Sequence, residues 1–109
     1  MRKLTDAELT GLLSELEGWT SRADAIHKDF TFPGFRGAIA FVNRVAERAE
    51  TAGHHPDIEI HHHRVSITLS THDAGGVTEK DVSLAAEIDG AADGDATERA
   101  DGSAAPRSG

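Results

Sequence analysis

Two short runs of alternating hydrophobic residues constrain the fold of this 109-residue chain more than any other feature of its sequence. Hydrophobic residues at every second position are typical of a strand with one buried face. If the hydrophobic residues change from even to odd positions, a turn or a bulge must lie between the two runs. Here the two runs have opposite parity. We therefore predict a hairpin whose connection lies at His61 to Arg64. The hydrophobic positions of its two strands are Ile58, Ile60, Val65, Ile67 and Leu69.

An earlier part of the chain predicts a second hairpin. Residues 19–23 and 25–32 each have the length and alternation of a short strand, and Asp24 lies between them. Ile26, Phe30 and Phe32 share one parity, so we expect these three side chains to face the core together.

Three helices are predicted before, between and after these hairpins. Thr5 and Glu8 form a capping-box pattern at the start of the first helix, which we expect to continue to Gly18. The second helix is predicted from about Gly37 to Ala52, because its apolar residues repeat every three or four positions.

The residues around the later helix ends also have predictable local roles. Gly53 is suited to a left-handed C-cap, and Pro56 prevents the second helix from continuing. Thr78 is suited to cap the third helix. The order helix, two strands, helix, two strands, helix predicts an α+β fold, in which a four-stranded antiparallel sheet has three helices packed on one face.

We assign residues 1–89 to one domain and residues 90–109 to a disordered tail. From Gly90 onward the chain is rich in Gly, Ala, Asp and Ser and has no large apolar residue. Such a segment buries too little hydrophobic surface to offset the entropy lost on ordering.

The composition excludes several classes of protein. The chain has no cysteine, which excludes disulfides, thiolate zinc sites and cysteine nucleophiles. Its net charge of −8 argues against nucleic acid or an anionic membrane as a direct partner, since phosphate binding needs a basic face. No segment approaches the roughly 18 apolar residues of a membrane span, and nothing resembles a signal peptide, so we expect a cytoplasmic protein.

Histidines concentrate between residues 53 and 73, which indicates either a metal site or an acid–base site. His54 and His55 follow the second helix in a loop, and His72 ends the last strand. If that strand lies beside the segment after Pro56, the two loops converge at one end of the sheet. Imidazole has an unperturbed pKa of about 6.5, so histidines there can accept and return protons at neutral pH.

Two carboxylates are candidates to orient these imidazoles. Glu50 lies four residues before His54, although a solvated helix surface is the alternative for its side chain. Asp81 lies in the first turn of the third helix, where a carboxylate also suits the helix dipole without any further role.

The remaining histidines of this segment allow a metal site as an alternative. His61 and His63 are two residues apart, and together with His54 or His72 they could bind a metal ion. His61 to His63 is equally compatible with an exposed turn.

Taken together, these residues resemble the pterin-4a-carbinolamine dehydratases over roughly residues 4–88. Trp19 and Phe30-x-Phe32 match the family pattern, and three later motifs match it more specifically. The three motifs are Glu50-x-x-x-His54-His55-Pro56, Val65-x-Ile67-x-Leu69-x-Thr71-His72 and Gly76-Val77-Thr78-x-x-Asp81.

The resemblance implies an enzyme that converts 4a-hydroxytetrahydrobiopterin to quinonoid dihydropterin and water in tetrahydrobiopterin recycling, with no metal and no organic cofactor. His54, His55 and His72 would perform the acid–base catalysis. The implied partners are a small-molecule pterin and further copies of the chain in a dimer or tetramer. The residues implied to bind the substrate are Glu50, Gly53, Pro56, Ser70, Thr71, Asp73 and Asp81.

The sequence departs from the family pattern at His62, where the family usually has Tyr or Trp. An imidazole offers less stacking area, which would affect pterin binding or packing at that position. The alternative to an enzyme is a non-enzymatic partner or assembly module of the same fold. Relatives used in that way are expected to lose the histidine set, which this chain retains.

Overall fold

The computed structural model describes the backbone of residues 1–101 and the side chains of residues 1–92. Over that range the chain forms three helices, four strands and a short 3-10 turn. The elements are α1 (Asp6–Leu13), β1 (Thr20–Arg22), β2 (Ala25–Thr31), α2 (Phe35–Ala52), β3 (Asp57–His61), β4 (Arg64–Leu69), the 3-10 turn (His72–Ala74) and α3 (Glu79–Asp101).

Both predicted hairpins form, and together they make one antiparallel sheet with the strand order β1-β2-β4-β3. Ile58 of β3 pairs with Ile67 of β4, so the hydrophobic residues of the two strands face the same side of the sheet. His61 pairs with Arg64, which leaves only two residues for the turn. This two-residue turn accounts for the change of parity in the sequence.

The helices pack on the hydrophobic face of the sheet, which confirms the predicted α+β fold. Phe41 of α2 is fully buried, and its ring centroid lies 4.8 Å from that of Phe30 and 4.9 Å from that of Phe32. Trp19 meets Phe30 edge-on at 6.2 Å. Aromatic pairs of this kind contribute about 0.5–1.5 kcal/mol each beyond the area they bury, and they hold α2 against the first hairpin.

The first helix begins as the sequence predicts. The Thr5 side chain accepts a hydrogen bond from the Glu8 N–H at 3.1 Å, and Glu8 Oε1 accepts one from the Thr5 N–H at 2.8 Å. Leu4 and Leu9 are buried on either side of this capping box, as expected for a hydrophobic staple.

The end of α1 differs from the prediction, because the helix ends at Leu13 and not at Gly18. Ser14 Oγ donates to the Gly11 carbonyl at 2.6 Å. A serine hydroxyl that bonds to the backbone of its own turn competes with helical hydrogen bonding. The chain then continues in tight turns, and Leu12, near the end of α1, is 38% exposed.

A part-buried ion pair attaches α3 to the first hairpin. Lys28 Nζ lies 2.9 Å from Asp89 Oδ1, 2.8 Å from the Glu17 carbonyl oxygen and 4.8 Å from the Phe30 ring centroid. Trp19 Nε1 donates to the same carboxylate at 3.1 Å. Asp89 therefore fixes the position of α3 relative to the sheet.

The structure carries α3 beyond residue 89, where the sequence predicts the domain boundary. Ala91 is 1% exposed and lies in the core, and its carbonyl accepts a hydrogen bond from Arg44 Nε at 3.2 Å. The rest of the predicted tail, the side chains of residues 93–101 and all of residues 102–109, lies outside the described residues. Neither α3 nor any other described helix is long and apolar enough to cross a membrane.

The second face of the sheet is polar. His27 Nε2 lies 2.9 Å from Asp29 Oδ1, and His27 Nδ1 lies 3.0 Å from Thr68 Oγ1. Ser66 Oγ donates to Asp29 at 2.6 Å, and this hydrogen bond lowers the pKa of the Asp29 carboxyl. Polar side chains of β2 and β4 thus bond to one another on the side of the sheet opposite to the helices.

Candidate active site

The loop between α2 and β3 starts at a glycine with a left-handed backbone. Gly53 has φ 65° and ψ 33°, a conformation that side-chain-bearing residues rarely adopt. The next residue, His54, donates its N–H to the Ala49 carbonyl at 3.1 Å, which closes the end of the helix. Pro56 is half-buried and leads directly into β3. The predicted C-cap is confirmed, and it places His54 against the start of α3.

His54 is bound to a buried carboxylate. Its Nε2 lies 2.5 Å from Asp81 Oδ1. Asp81 is completely buried, and the His54 side chain is 11% exposed. A carboxylate that accepts from one imidazole nitrogen orients the ring and leaves the other nitrogen for proton exchange.

The second oxygen of Asp81 joins the other two segments of the site. Asp81 Oδ2 accepts the Thr78 N–H at 2.9 Å, which caps α3, and the Thr71 hydroxyl at 2.7 Å. The loop after α2, the loop after β4 and the start of α3 therefore meet at one carboxylate. Asp81 combines its structural role at the helix N-terminus with a contact to His54.

The N-terminal segment supports the loop after β4 from outside. The Leu4 N–H donates to the Val77 carbonyl at 2.8 Å. Lys3 packs on the buried Gly76, where a Cβ atom would come within 2.7 Å of Lys3 Cε. Lys3 Cε lies near the end of a flexible side chain that is 53% exposed, so this side chain could move aside for a Cβ atom and the contact by itself does not require glycine at residue 76.

His55 and His72 are more accessible than His54. His55 Nε2 lies 2.8 Å from Glu50 Oε2, and their side chains are 66% and 75% exposed. His72 is exposed and begins the 3-10 turn that follows Thr71. The structure therefore pairs Glu50 with His55 and Asp81 with His54. His72 has no such carboxylate partner among the described residues, but it directly follows Thr71, whose hydroxyl bonds to Asp81.

Two further candidate residues, Ser70 and Asp73, have side chains that are not in this cluster. Ser70 Oγ donates to the Asp24 carbonyl of the first hairpin at 2.7 Å. Asp73 is exposed in the 3-10 turn.

A cleft of about 330 Å³ lies between α2 and α3, and His54 is one of its lining residues. The lining residues do not include His55 or His72. Sequence reasoning missed this cleft, although Arg48 and Thr51 are three residues apart on α2, as are Lys80 and Ser83 on α3. That spacing places each pair on one helix face, but only the packing of the two helices brings the faces together.

The metal alternative gains no geometric support within the described residues. No three His, Cys, Asp or Glu side chains among them are arranged to hold a metal ion. His61 Nε2 lies 3.4 Å from Glu59 Oε1, and both side chains are more than half exposed.

His62 lies far from the two loops that meet at Asp81. It occupies the turn between β3 and β4 with a positive φ of 58° and is exposed. The six residues of β4 rise about 3.4 Å each, so the turn is roughly 20 Å from the end of the strand that leads to Thr71. The departure from the family pattern at His62 therefore affects a turn at the opposite end of the hairpin.

Comparisons with known proteins identify the family of the chain. A protein of Thermomicrobium roseum that is named as a pterin-4-alpha-carbinolamine dehydratase is 51% identical to this chain over 88 residues. The match covers 81% of this chain and 95% of that protein. A second one, from Gloeobacter violaceus, is 56% identical over 92 residues, covering 81% of this chain and all of that protein.

Two solved structures are similar in fold. One is a transcriptional coactivator/pterin dehydratase from Brucella melitensis, with a TM-score of 0.81, 35% identity and coverage of 84% of this chain and 99% of that one. The other is a pterin dehydratase-like protein identified as a RuBisCO assembly factor in the alpha-carboxysome, with a TM-score of 0.57, 28% identity and coverage of 68% and 86%. The family model described as pterin 4 alpha carbinolamine dehydratase matches residues 2–91, and the chain belongs to that family.

Proposed function

We propose that this chain dehydrates 4a-hydroxytetrahydrobiopterin to quinonoid dihydropterin and water, in the recycling of tetrahydrobiopterin. The observation that carries the proposal is the bond between His54 and the buried carboxylate of Asp81, at the point where three segments of the chain meet. Family membership supports the reaction class.

The chemistry needs at least two groups that exchange protons. The bond between C4a and its hydroxyl oxygen breaks with the electron pair going to oxygen, so the oxygen must receive a proton to leave as water. A ring proton must be removed as the double bond forms. We propose that His54, His55 and His72 divide these two transfers, because imidazole can act as an acid and as a base near neutral pH.

The other predicted site residues have supporting roles in this proposal. Glu50, 2.8 Å from His55, would orient that imidazole, as Asp81 orients His54. Gly53, Pro56, Ser70, Thr71 and Asp73 would contact the pterin through the two loops. No metal ion or organic cofactor takes part in the proposed reaction.

A direct assay tests this function. Chemically generated 4a-hydroxytetrahydrobiopterin decays slowly by itself, and purified protein should accelerate the appearance of quinonoid dihydropterin in proportion to its concentration. The acceleration should survive exhaustive chelation, since no metal is needed. Loss of activity on chelation and recovery with a divalent metal would contradict the proposed acid–base chemistry.

A non-enzymatic assembly role is the second candidate function. Its support is the similarity to the pterin dehydratase-like protein described as a RuBisCO assembly factor. Protein that leaves the decay of the carbinolamine unaccelerated would favour this role. We prefer catalysis, because His54 remains paired with a buried carboxylate that a binding module does not need.

Two further parts of the proposal come from the sequence and the family resemblance. We propose that the chain acts in the cytoplasm and as a dimer or tetramer. Light scattering on the purified protein gives the mass of the particle in solution, and a mass of one chain would contradict an oligomer. Fractionation of the source cells followed by detection with an antibody tests the location.

A further inference from the structure

Two threonine side chains connect to Asp81 on the side away from His54. Thr71 Oγ1 lies 2.7 Å from Asp81 Oδ2 and 2.9 Å from Thr78 Oγ1. Thr78 is completely buried, and its Oγ1 accepts the Lys80 N–H at 3.2 Å. Thr71 belongs to a loop proposed above to contact the pterin, but neither hydroxyl takes part in the proton transfers proposed there.

The number of hydrogens determines the direction of every bond in this group. A carboxylate only accepts, so the Thr71 hydroxyl donates its one hydrogen to Asp81. Thr71 Oγ1 can then only accept from Thr78, whose hydroxyl hydrogen must point to Thr71. The N–H of Lys80 donates to Thr78 Oγ1. The chain of donors thus extends from Lys80 through Thr78 and Thr71 and ends on Asp81.

The Asp81 carboxylate also fixes the position of the hydrogen on His54. Asp81 Oδ1 cannot donate, so the bond of 2.5 Å to His54 Nε2 requires a hydrogen on that nitrogen. In the neutral ring, Nδ1 then has no hydrogen and is the basic nitrogen. Within the described residues Nδ1 has no hydrogen-bond partner, and His54 lines the cleft between α2 and α3.

We propose that Thr71 and Thr78 are positioning residues that hold Asp81 as an acceptor, and that they thereby fix His54 in the Nε2–H tautomer with Nδ1 as the base toward the substrate. The catalytic part of this inference rests on the proposed dehydratase function. Removing the Thr71 hydroxyl takes one of three donors from a completely buried carboxylate. The Thr78 N–H and His54 remain as donors, so Asp81 is held less firmly and its bond to His54 weakens; in the fraction of molecules that lose this bond, the His54 tautomer is no longer fixed.

Nitrogen NMR tests the tautomer without any assay of activity. Long-range ¹H–¹⁵N spectra of ¹⁵N-labelled protein distinguish an Nε2–H ring from an Nδ1–H ring by the shifts of the two nitrogens, and His54→Gln assigns the signals. We expect Nε2–H in the wild-type protein when the ring is neutral. An Nδ1–H ring would overturn the proposal, and because the wild-type spectrum decides this, the result does not depend on the folding of any Thr71 variant.

Thr71→Val tests the positioning role, because valine has nearly the same shape without the hydroxyl. We expect a mixture of tautomers at His54 and a kcat lowered by about 10- to 100-fold with little change in KM, which is the usual effect of losing a hydrogen bond to a charged group. Thr71→Ser should restore the Nε2–H tautomer and most of the lost turnover.

The matched control is Thr68→Val on the polar face of the sheet. Thr68 Oγ1 also bonds to an imidazole, His27 Nδ1, at 3.0 Å, but it belongs to a different cluster. Its loss should change neither the His54 signals nor kcat. An unchanged His54 tautomer in Thr71→Val would overturn the positioning role, and a changed tautomer with unchanged kcat would overturn the assignment of Nδ1 as the base. A wild-type protein with the Nε2–H ring but no dehydratase activity would instead remove the proposed function alone.

Discussion

At the scale of single residues, the two carboxylates of the site have different environments. Asp81 is completely buried and bound by three donors, whereas Glu50 is exposed and contacts only His55 among the described side chains. Replacing a buried acceptor leaves donors without partners, and an exposed one is replaced by water. His54 is therefore held more firmly than His55, and we assign the fixed geometry of the site to the pair His54–Asp81.

The first prediction concerns the histidines that are exposed. His55→Ala and His72→Ala should each lower turnover of 4a-hydroxytetrahydrobiopterin by about 10²–10⁴-fold, the usual range for a positioned acid or base. The free-energy loss in the double variant should be smaller than the sum of the two single losses, because groups that act in one step are not additive. Steady-state kinetics on the three variants measure both effects.

The controls for this prediction come from the opposite end of the β3–β4 hairpin. His61→Ala and His63→Ala remove exposed imidazoles and should change turnover by less than about threefold, as expected for groups that take no part in the transition state. If these variants were inactive while His55→Ala and His72→Ala kept their activity, the acid–base assignment would be wrong and the metal alternative would be favoured.

At the scale of elements, the turn between β3 and β4 contains a residue that is not suited to its backbone. His62 has φ 58°, and His63 is not among the described residues with positive φ. A left-handed conformation costs an L-residue roughly 1–2 kcal/mol, and glycine avoids this cost. His62→Gly should therefore raise the free energy of unfolding by about 0.5–1 kcal/mol after the greater entropy of glycine in the unfolded chain is subtracted.

The neighbouring residue supplies the control for this turn. His63→Gly adds the same unfolded-state entropy without relieving any strain, so it should lower the free energy of unfolding by about 0.5–1 kcal/mol. Urea unfolding of both variants measures the difference. Two changes of the same sign would contradict a strained backbone at His62.

Because Glu8 of the α1 capping box titrates in the acid range, the free energy of unfolding should depend on pH there. The hydrogen bond from Arg2, followed by the Thr5 N–H, lowers the pKa of Glu8 from 4.5 to about 2. Because the folded-state value is the lower one, the stabilisation is complete above pH 4.5 and is lost as the pH falls toward 2. Glu8→Gln should therefore unfold at a lower temperature than the wild type at neutral pH, and the two melting temperatures should converge near pH 2.

A second variant separates the two causes at Glu8. Arg2→Gln removes the side-chain partner of Glu8 and leaves the Thr5 N–H. Between pH 4.5 and 2 its stability should therefore depend on pH less than that of the wild type and more than that of Glu8→Gln. Melting curves recorded by circular dichroism across that range measure both variants. A pH dependence equal to that of the wild type in both would contradict the role of Glu8.

At the scale of the whole molecule, the packed domain continues past the residue at which the composition changes. Ala91 is buried and its carbonyl bonds to Arg44, so truncation after Asp89 should destabilise the domain by about 1 kcal/mol, or roughly 4–8 °C in melting temperature. Truncation after Ala92 keeps both contacts and should leave the melting temperature and the dehydratase activity almost unchanged. Equal melting temperatures for the two truncations would show that Ala91 is not part of the cooperative unit.

Sequence by itself determined the features that depend on near neighbours. The capping box at Thr5 and Glu8, the left-handed Gly53 and the alternation on either side of the β3–β4 turn are local in energy, because each depends on residues within a few positions along the chain. The same local reasoning failed at the end of α1, where the hydroxyl of Ser14 competes for a backbone carbonyl.

Only the tertiary structure decided which of the candidate side chains meet. His54 and Asp81 are 27 residues apart, and Thr71 reaches the same carboxylate from a third segment. No periodicity encodes these contacts, since they arise when α2 and α3 pack together on the sheet and the ends of β3 and β4 are brought into register. The sequence therefore identified the candidate histidines, whereas packing paired His54 with the buried carboxylate, left His55 and His72 exposed, and formed a cleft between α2 and α3 that His54 lines.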